Sequence, residues 1–256
     1  MLTVKDLRIE FFDHERPEVA VKDVDFVLND GEILGIVGES GSGKSMTAMA
    51  IAGLLNRKDM TKSGEIYLDD IDLLNSPRSV IRELQGKDIG FVFQDSLSSL
   101  NPVLKIGYQV EEALRVRKKS LNIDKKTMKE AALDIMRKVG LEEVERIYDS
   151  YPHELSGGQR QRAQIAAAMI MKPKLLICDE PTTALDVTVQ KKIIDLIKEM
   201  NKNEGQSVLF ISHDLSVVRA LCDRVIVMKD GLVVEEGKTE DIFTNPAKEY
   251  TKQLIY

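Results

Sequence analysis

At 256 residues the chain is long enough for one sizeable α/β domain, or for a core that carries a smaller insert, and too short for two enzymes in tandem. Charged residues make up 30% of it and the formal net charge is −6, with both signs scattered, which argues against a dedicated nucleic-acid binder. No run approaches the roughly 20 apolar residues of a membrane-crossing helix, and the start MLTVKDLRIE lacks the basic and apolar parts of a signal peptide, so a cytosolic chain is expected.

The segments TVKDLRIEF and VKDVDFVL alternate apolar and polar residues and predict half-exposed antiparallel strands, a small β layer at the N-terminus. Further on, short apolar runs rich in β-branched residues predict buried strands at 33 to 37 (ILGIV), 89 to 93 (IGFVF), 175 to 179 (LLICD) and 208 to 212 (VLFIS), alternating with helix-period segments. This is the pattern of a mostly parallel sheet flanked by helices. From about 95 to 160 the pattern turns to helix and loop, which predicts a helical subdomain inserted in a single domain spanning 1–256. Arg115, Arg117, Lys118 and Lys119 read there as a solvated helix end. Met128, Ala131, Ala132, Ile135, Met136 and Val139 mark one face of a helix that Gly140 ends. Asp230-Gly231, between two apolar runs, predicts a hairpin turn. Met46, Met49 and Met169 read as core filling, and Cys178 and Cys222, far apart and outside any ligand-spaced cluster, as reduced core thiols.

Strand ILGIV runs directly into Gly38, Glu39, Ser40, Gly41, Ser42, Gly43, Lys44 and Ser45, and a helix-forming stretch follows from Met46. This is the G-x-x-x-x-G-K-[ST] phosphate loop in the strand-loop-helix context it requires. Glycines let the backbone curl so that successive N–H groups point at phosphate oxygens, and the helix N-terminus adds its positive end. Lys44 reaches the β- and γ-phosphates of a bound ATP, and the Ser45 hydroxyl is a ligand for Mg²⁺. A second apolar strand delivers Asp179 and Glu180 at its end, where ligands bind in open α/β sheets. Asp179 fits the second metal-anchoring carboxylate and Glu180 the group that polarises the attacking water. An acidic pair after a strand also commonly caps the next helix.

Leu155, Ser156, Gly157, Gly158 and Gln159, followed by Arg160-Gln161-Arg162 and an apolar helix, form a second anion-binding helix end: Ser156 caps it and the glycines expose N–H groups. These residues resemble the signature sequence of the ABC (ATP-binding cassette) ATPases, and the resemblance runs over essentially the whole chain. It implies a P-loop NTPase core of the ABC type and a head-to-tail pair of cassettes, in which the signature of one subunit closes over the ATP of its partner. By position it implies that Gln94 is the Q-loop glutamine at Mg²⁺ and water, that Ala184-Leu185-Asp186 is the D-loop, and that His213 is the switch histidine at the γ-phosphate. Phe11, or its neighbour Phe12, would be the aromatic that stacks on adenine. Taken alone, a histidine after a strand is more often a surface or capping residue, and a strand phenylalanine more often core.

The stretch from Phe93 to Gly107, together with Tyr151-Pro152-His153-Glu154, DEPTTALDVTVQ and Asn245-Pro246, resembles the oligopeptide, dipeptide and nickel importer ATPases, although Ser96 stands where that group usually has proline. The chain stops at Tyr256 without the cysteine-rich tail of many peptide-importer members, so cargo stays open between peptides and nickel or a metal chelate. The implied partners are a second cassette, a paralogue or an identical copy, two transmembrane permeases, and indirectly an extracytoplasmic solute-binding protein, with the chain on the cytoplasmic membrane face. Leu97, Leu100 and Val103 are expected either to line a groove for a permease helix or to anchor the insert. DNA-repair members carry a long coiled coil before the signature and translation-associated members carry two cassettes, and this chain has neither. An exporter is commonly fused to membrane helices, and a small-molecule kinase would leave the signature, Asp186 and His213 unused.

Overall fold

The computed structural model describes residues 1–12, 18–95, 99–182 and 185–255. They fall into two compact α/β units, Met1–Gln85 with Gly205–Tyr256, and Gly86–Glu204.

In the first unit, β1 (Leu2–Phe11) and β2 (Glu18–Leu28) pair antiparallel, with Leu2 opposite Leu28 and Val4 opposite Phe26. Leu2, Val4, Leu7 and Ile9 are buried, the alternation that a sheet with one covered face requires. The register shifts near Asp6 and Asp23, both at positive φ, and the Asp25 carboxylate accepts the Asp6 N–H at 2.9 Å. Next come β3 (Ile33–Val37), α1 (Lys44–Ile51), β4 (Met60–Leu68), β5 (Ile71–Asp72) and α2 (Arg78–Leu84). Strand β4 pairs with the other edge of β1, and Gly64 meets the bulge there: a Cβ would lie 2.4 Å from the Asp6 carbonyl oxygen, so a side chain is sterically barred.

The second unit begins with β6 (Ile89–Val92), one residue shorter than expected because Phe93 falls outside it. Helices α3 (Ile106–Val110), α4 (Glu112–Val116), α5 (Lys118–Leu121), α6 (Lys125–Lys138) and α7 (Val144–Asp149) follow, then a 3-10 turn at Pro152–Glu154, α8 (Gly157–Met169), β7 (Leu175–Asp179) and α9 (Val187–Glu204). Helix α6 starts on Asp124, whose carboxylate accepts the Thr127 N–H at 2.7 Å, and it buries Met128, Ala132, Ile135 and Met136, with Val139 just beyond its end. Ala131 is half-buried at the rim of that face, and Gly140, at φ 80, reverses the chain. Strands β6 and β7 are parallel, Ile89 opposite Leu175 and Val92 opposite Cys178. Gly90 lets α8 come close: a Cβ there would lie 2.5 Å from the Ala168 carbonyl oxygen.

The basic cluster is less solvated than its composition suggests. Arg115 pairs with Glu111 at 2.5 Å and lies 4.5 Å from the Tyr108 ring, and Glu111 is buried, whereas Lys118 and Lys119 are exposed.

The chain returns to the first unit with β8 (Ser207–Ile211), α10 (Leu215–Leu221), β9 (Arg224–Lys229), β10 (Leu232–Lys238), α11 (Thr239–Thr244) and α12 (Glu249–Ile255). Strand β8 begins one residue earlier than expected and leaves Ser212 outside. Strand β3 lies parallel between β8 and β9, with Ile36 opposite both Ile211 and Ile226. Every residue of β3 and β8 is buried, as continuous apolar runs covered on both faces should be. Each such Ile, Leu or Val contributes about 1.5–3 kcal/mol by leaving water. Asp230 (φ 50) and Gly231 (φ 83) turn β9 into antiparallel β10, the expected hairpin.

Met169 is fully buried, but Met46 and Met49 are half-buried, so these two are only partly core. Cys178 and Cys222 are buried and not joined in a disulfide, and burial together with Asp179 pushes the Cys178 thiol well up. Among the described residues no helix is long and apolar enough to cross a membrane.

Candidate functional site

The first unit supplies the phosphate loop. Strand β3 ends at Val37, and Gly38, Gly41 and Gly43 take φ values of 149°, 81° and 96° before α1 starts at Lys44. Two of them are required by space as well as by conformation, since a Cβ on Gly38 would lie 2.1 Å from the Met228 oxygen and one on Gly43 2.7 Å from the Ala20 oxygen. Glu39, Ser40 and Gly41 are exposed at the tip, while Ser45 and Met46 are half-buried on the first turn of the helix. The Lys44 ammonium is buried and donates to the Gly38 oxygen at 2.8 Å, the Glu39 oxygen at 2.7 Å and Ser42 Oγ at 3.2 Å. A buried cation held inside a curl of backbone, at a helix N-terminus, is an arrangement that accepts a polyanion.

Phe11, at the end of β1, is half-buried with the Arg57 guanidinium 5.1 Å from its ring centre, and Phe12 is 47% exposed. His213, also in this unit, is exposed just after β8. Its neighbour Asp214 accepts the N–H groups of Ser216 and Val217 at 3.0 and 3.3 Å, so the cap of α10 is Asp214 and not the histidine.

The second unit supplies the carboxylates. Because Val92 lies opposite Cys178 in the parallel pair, two further residues along each strand bring Gln94 beside Glu180. There Gln94 Nε2 donates to Glu180 Oε2 at 3.0 Å. Asp179 is buried at the strand end, and Glu180 holds φ 49, a left-handed conformation costing about 1–3 kcal/mol for a residue with a side chain. Ser156 caps α8 in a reciprocal box with Gln159: Gln159 N–H donates to Ser156 Oγ at 3.2 Å, and Ser156 N–H to Gln159 Oε1 at 2.9 Å. Gly157 and Gly158 are half-buried on its first turn. Asp186 accepts the Val189 N–H at 2.9 Å and so caps α9, while Thr183 and Ala184, the latter part of the expected D-loop, lie outside the described residues.

The three residues after the signature have defined tasks that sequence reading did not assign. Arg160 donates to the Leu155 oxygen at 2.8 Å, buried Gln161 donates to the Pro181 oxygen at 2.9 Å, and Arg162 donates to the Gly140 oxygen at 2.5 Å. Burial draws the Arg162 guanidinium downward, opposed by attraction to Asp186 and Glu142. Gln161 thus ties the signature helix to the residue that follows Glu180. A glutamine on an otherwise small-residue helix face was the available signal, but its partner is remote in sequence.

Of the segment expected to meet a permease, Leu100 is 6% exposed and belongs to the core, Val103 is 75% exposed, and Ser96 and Leu97 lie outside the described residues. For Leu100 the anchoring alternative holds.

A glycine-rich loop between a strand and a helix, closed around a buried lysine, is the arrangement of the phosphate-loop nucleoside triphosphatases, and the chain is an ATPase of that class. The family model described as ABC transporter matches residues 21–183. The dipeptide transport ATP-binding protein DppD of Haemophilus influenzae is 43% identical over 255 residues, which cover 100% of this chain and 76% of that protein. The oligopeptide transport ATP-binding protein AppD of Bacillus subtilis is 43% identical over 256 residues, covering 100% and 77%. Among solved structures, the ATP-binding cassette MJ0796, dimeric in a post-hydrolysis state with ADP and Pi, superposes with a TM-score of 0.86 at 33% identity over 93% of this chain and 99% of that one. A further match is cbiO1 of Clostridium perfringens, part of the ABC transporter complex cbiONQ, with a TM-score of 0.75, 30% identity, and coverage of 95% and 90%. The chain belongs to the ABC transporter family.

Proposed function

We propose that the chain is the ATP-hydrolysing subunit of an importer for di- or oligopeptides. Relatives that match over the whole of this chain and carry dipeptide and oligopeptide transport names favour peptide cargo over nickel or a metal chelate. The observation that carries the catalytic part is the Gln94–Glu180 hydrogen bond at the ends of two parallel strands. Glu180 would accept the proton of the water that attacks the γ-phosphate, and Gln94 would hold that carboxylate and water in line. Gly38 through Met46 would bind the phosphates, His213 the γ-phosphate, and Phe11 or Phe12 the base.

The donor set fits magnesium in kind. Ser45 offers a hydroxyl, Asp179 a carboxylate and Gln94 an amide oxygen, and magnesium favours one or two protein oxygens completed by phosphates and water. Magnesium held there would offset the negative charge of the phosphates.

The signature residues Ser156, Gly157, Gly158 and Gln159, with Asp186, would serve the ATP of a partner cassette. The further partners in this reading are two membrane permeases and, indirectly, a solute-binding protein, with the chain on the cytoplasmic membrane face. The helices between about 95 and 160 would form an inserted subdomain, a reading supported by the run of helices from α3 to α8 between β6 and β7.

The test is Glu180→Gln in the assembled transporter. Nucleotide affinity should survive while phosphate release falls about a hundredfold or more, the range of a lost general base. Near-normal turnover would remove Glu180 from the role.

A further inference from the structure

The phosphate loop has a partner that its motif does not contain. The peptide joining Gly38 to Glu39 is held at both ends: its oxygen accepts from Lys44 Nζ at 2.8 Å, and its N–H donates to Tyr250 Oη at 3.2 Å. Tyr250 is a buried residue of α12. The Lys229 ammonium lies 4.5 Å from its ring centre, and the start of its helix is fixed by Glu235, whose carboxylate accepts the N–H groups of Ala247 and Lys248 at 2.7 and 3.1 Å. The same side of the loop leans on β9 and its turn, with Gly38 closed in by the Met228 oxygen and the Gly231 N–H donating to the Ser42 oxygen at 3.2 Å.

A lysine that swings to a phosphate leaves the loop oxygens it holds here, and the Gly38 oxygen then loses that donor. The 38–39 peptide follows a glycine at positive φ, the residue type least able to resist a peptide flip. A flip would exchange its N–H and oxygen and change the curl that aims the following N–H groups. The Tyr250 hydroxyl is the contact that can stay in place through this exchange.

We propose that Tyr250 is a positioning residue for nucleotide binding, its hydroxyl oxygen keeping the Glu39 N–H, and with it the phosphate loop, in the binding geometry. The inference rests on the loop being the ATP site. One net hydrogen bond corresponds to an affinity loss of about three- to tenfold. Tyr250→Phe removes the hydroxyl and keeps the ring against Lys229. In the full chain, Tyr250→Phe should weaken Mg²⁺·ATP binding by that factor, speed amide exchange in peptides covering residues 37–44, and lower the nucleotide-free melting temperature by no more than the few degrees of one lost hydrogen bond. Affinity within threefold of the parent, or unchanged exchange in the loop, would overturn the proposal. So would a larger fall in melting temperature accompanied by faster exchange throughout the unit, which would make Tyr250 merely structural. Lys44→Ala, measured alongside, separates the two failures. If it too binds Mg²⁺·ATP like the parent, the phosphate-loop reading itself is wrong; if it loses binding while Tyr250→Phe does not, only the role of Tyr250 falls.

Discussion

Glu180 stands in a backbone conformation that favours glycine, at the point where the proposed chemistry needs a carboxylate. Strain of this kind persists where the surroundings over-determine it, here by strand β7 behind and by Gln94 at the side chain. Glu180→Gly should therefore abolish turnover and yet stabilise the fold by about 1 kcal/mol, read as a higher denaturation midpoint. A midpoint that falls would show that the carboxylate's contacts outweigh the strain.

A second residue-scale test concerns Tyr148, whose hydroxyl donates to buried Glu111 and whose ionisation burial and that carboxylate push up to about 12. The folded state then binds the phenolic proton more tightly than the unfolded chain, whose tyrosine titrates near 10. The resulting stability is complete below about pH 10 and is lost as pH rises towards 12. Tyr148→Phe should flatten that alkaline loss in denaturation midpoints measured between these values. An alkaline limb as steep as the parent's would count against the pairing.

At the scale of elements, the turn at Asn101–Leu104 is more firmly held than its Asn and Pro content suggests. Gln109 of α3 accepts the Asn101 N–H at 2.7 Å and donates to the oxygens of Asn101 and Leu104 at 3.0 and 2.9 Å, holding the turn from outside it. Gly107 admits the Tyr148 ring, which a Cβ would meet at 2.3 Å. Burial separates Leu100, which is buried, from Val103, which is exposed. Leu100→Asp should cost at least the roughly 2–5 kcal/mol of emptying a core leucine site, whereas Val103→Asp should stay within about 0.5 kcal/mol. Loss of permease pull-down by a folded Val103→Asp variant would support docking through this segment, and normal pull-down would exclude Val103 from it. Helix α8 offers a cleaner element-scale measurement. Ser156→Ala removes one half of the capping box and should lower stability by about 1 kcal/mol in urea denaturation.

At the scale of the whole molecule, one chain carries two helices, α1 and α8, that start at glycine-bearing turns. In the composite-site reading they serve different nucleotides. Isolated protein should then be a weak ATPase and largely monomeric, and Glu180→Gln with Mg²⁺·ATP should favour a dimer, with a paralogue if the natural pair is mixed. Light scattering with and without nucleotide measures this. Full, concentration-independent turnover by a strict monomer would contradict it.

The sequence alone determined the two N-terminal strands, the four buried strands to within a residue, the hairpin at Asp230-Gly231, the amphipathic face of α6, and the loop-to-helix turns at Gly38–Lys44 and Ser156–Gly157, because each is written in contiguous residues: a period of two or 3.6, or a run of glycines before a helix. It left open whether Leu100 anchors or docks, because an apolar residue in a loop has the same spelling in either case. Only the tertiary structure decided that. It also decided that Arg115 turns onto Glu111 and Tyr108, that Gln161 reaches the Pro181 oxygen, and that the Tyr250 hydroxyl accepts the Glu39 N–H. The last two contacts join residues 20 and 211 positions apart, and a single hydrogen bond between such distant groups leaves no periodic trace in a sequence, since it exists only once the core has brought its two ends together.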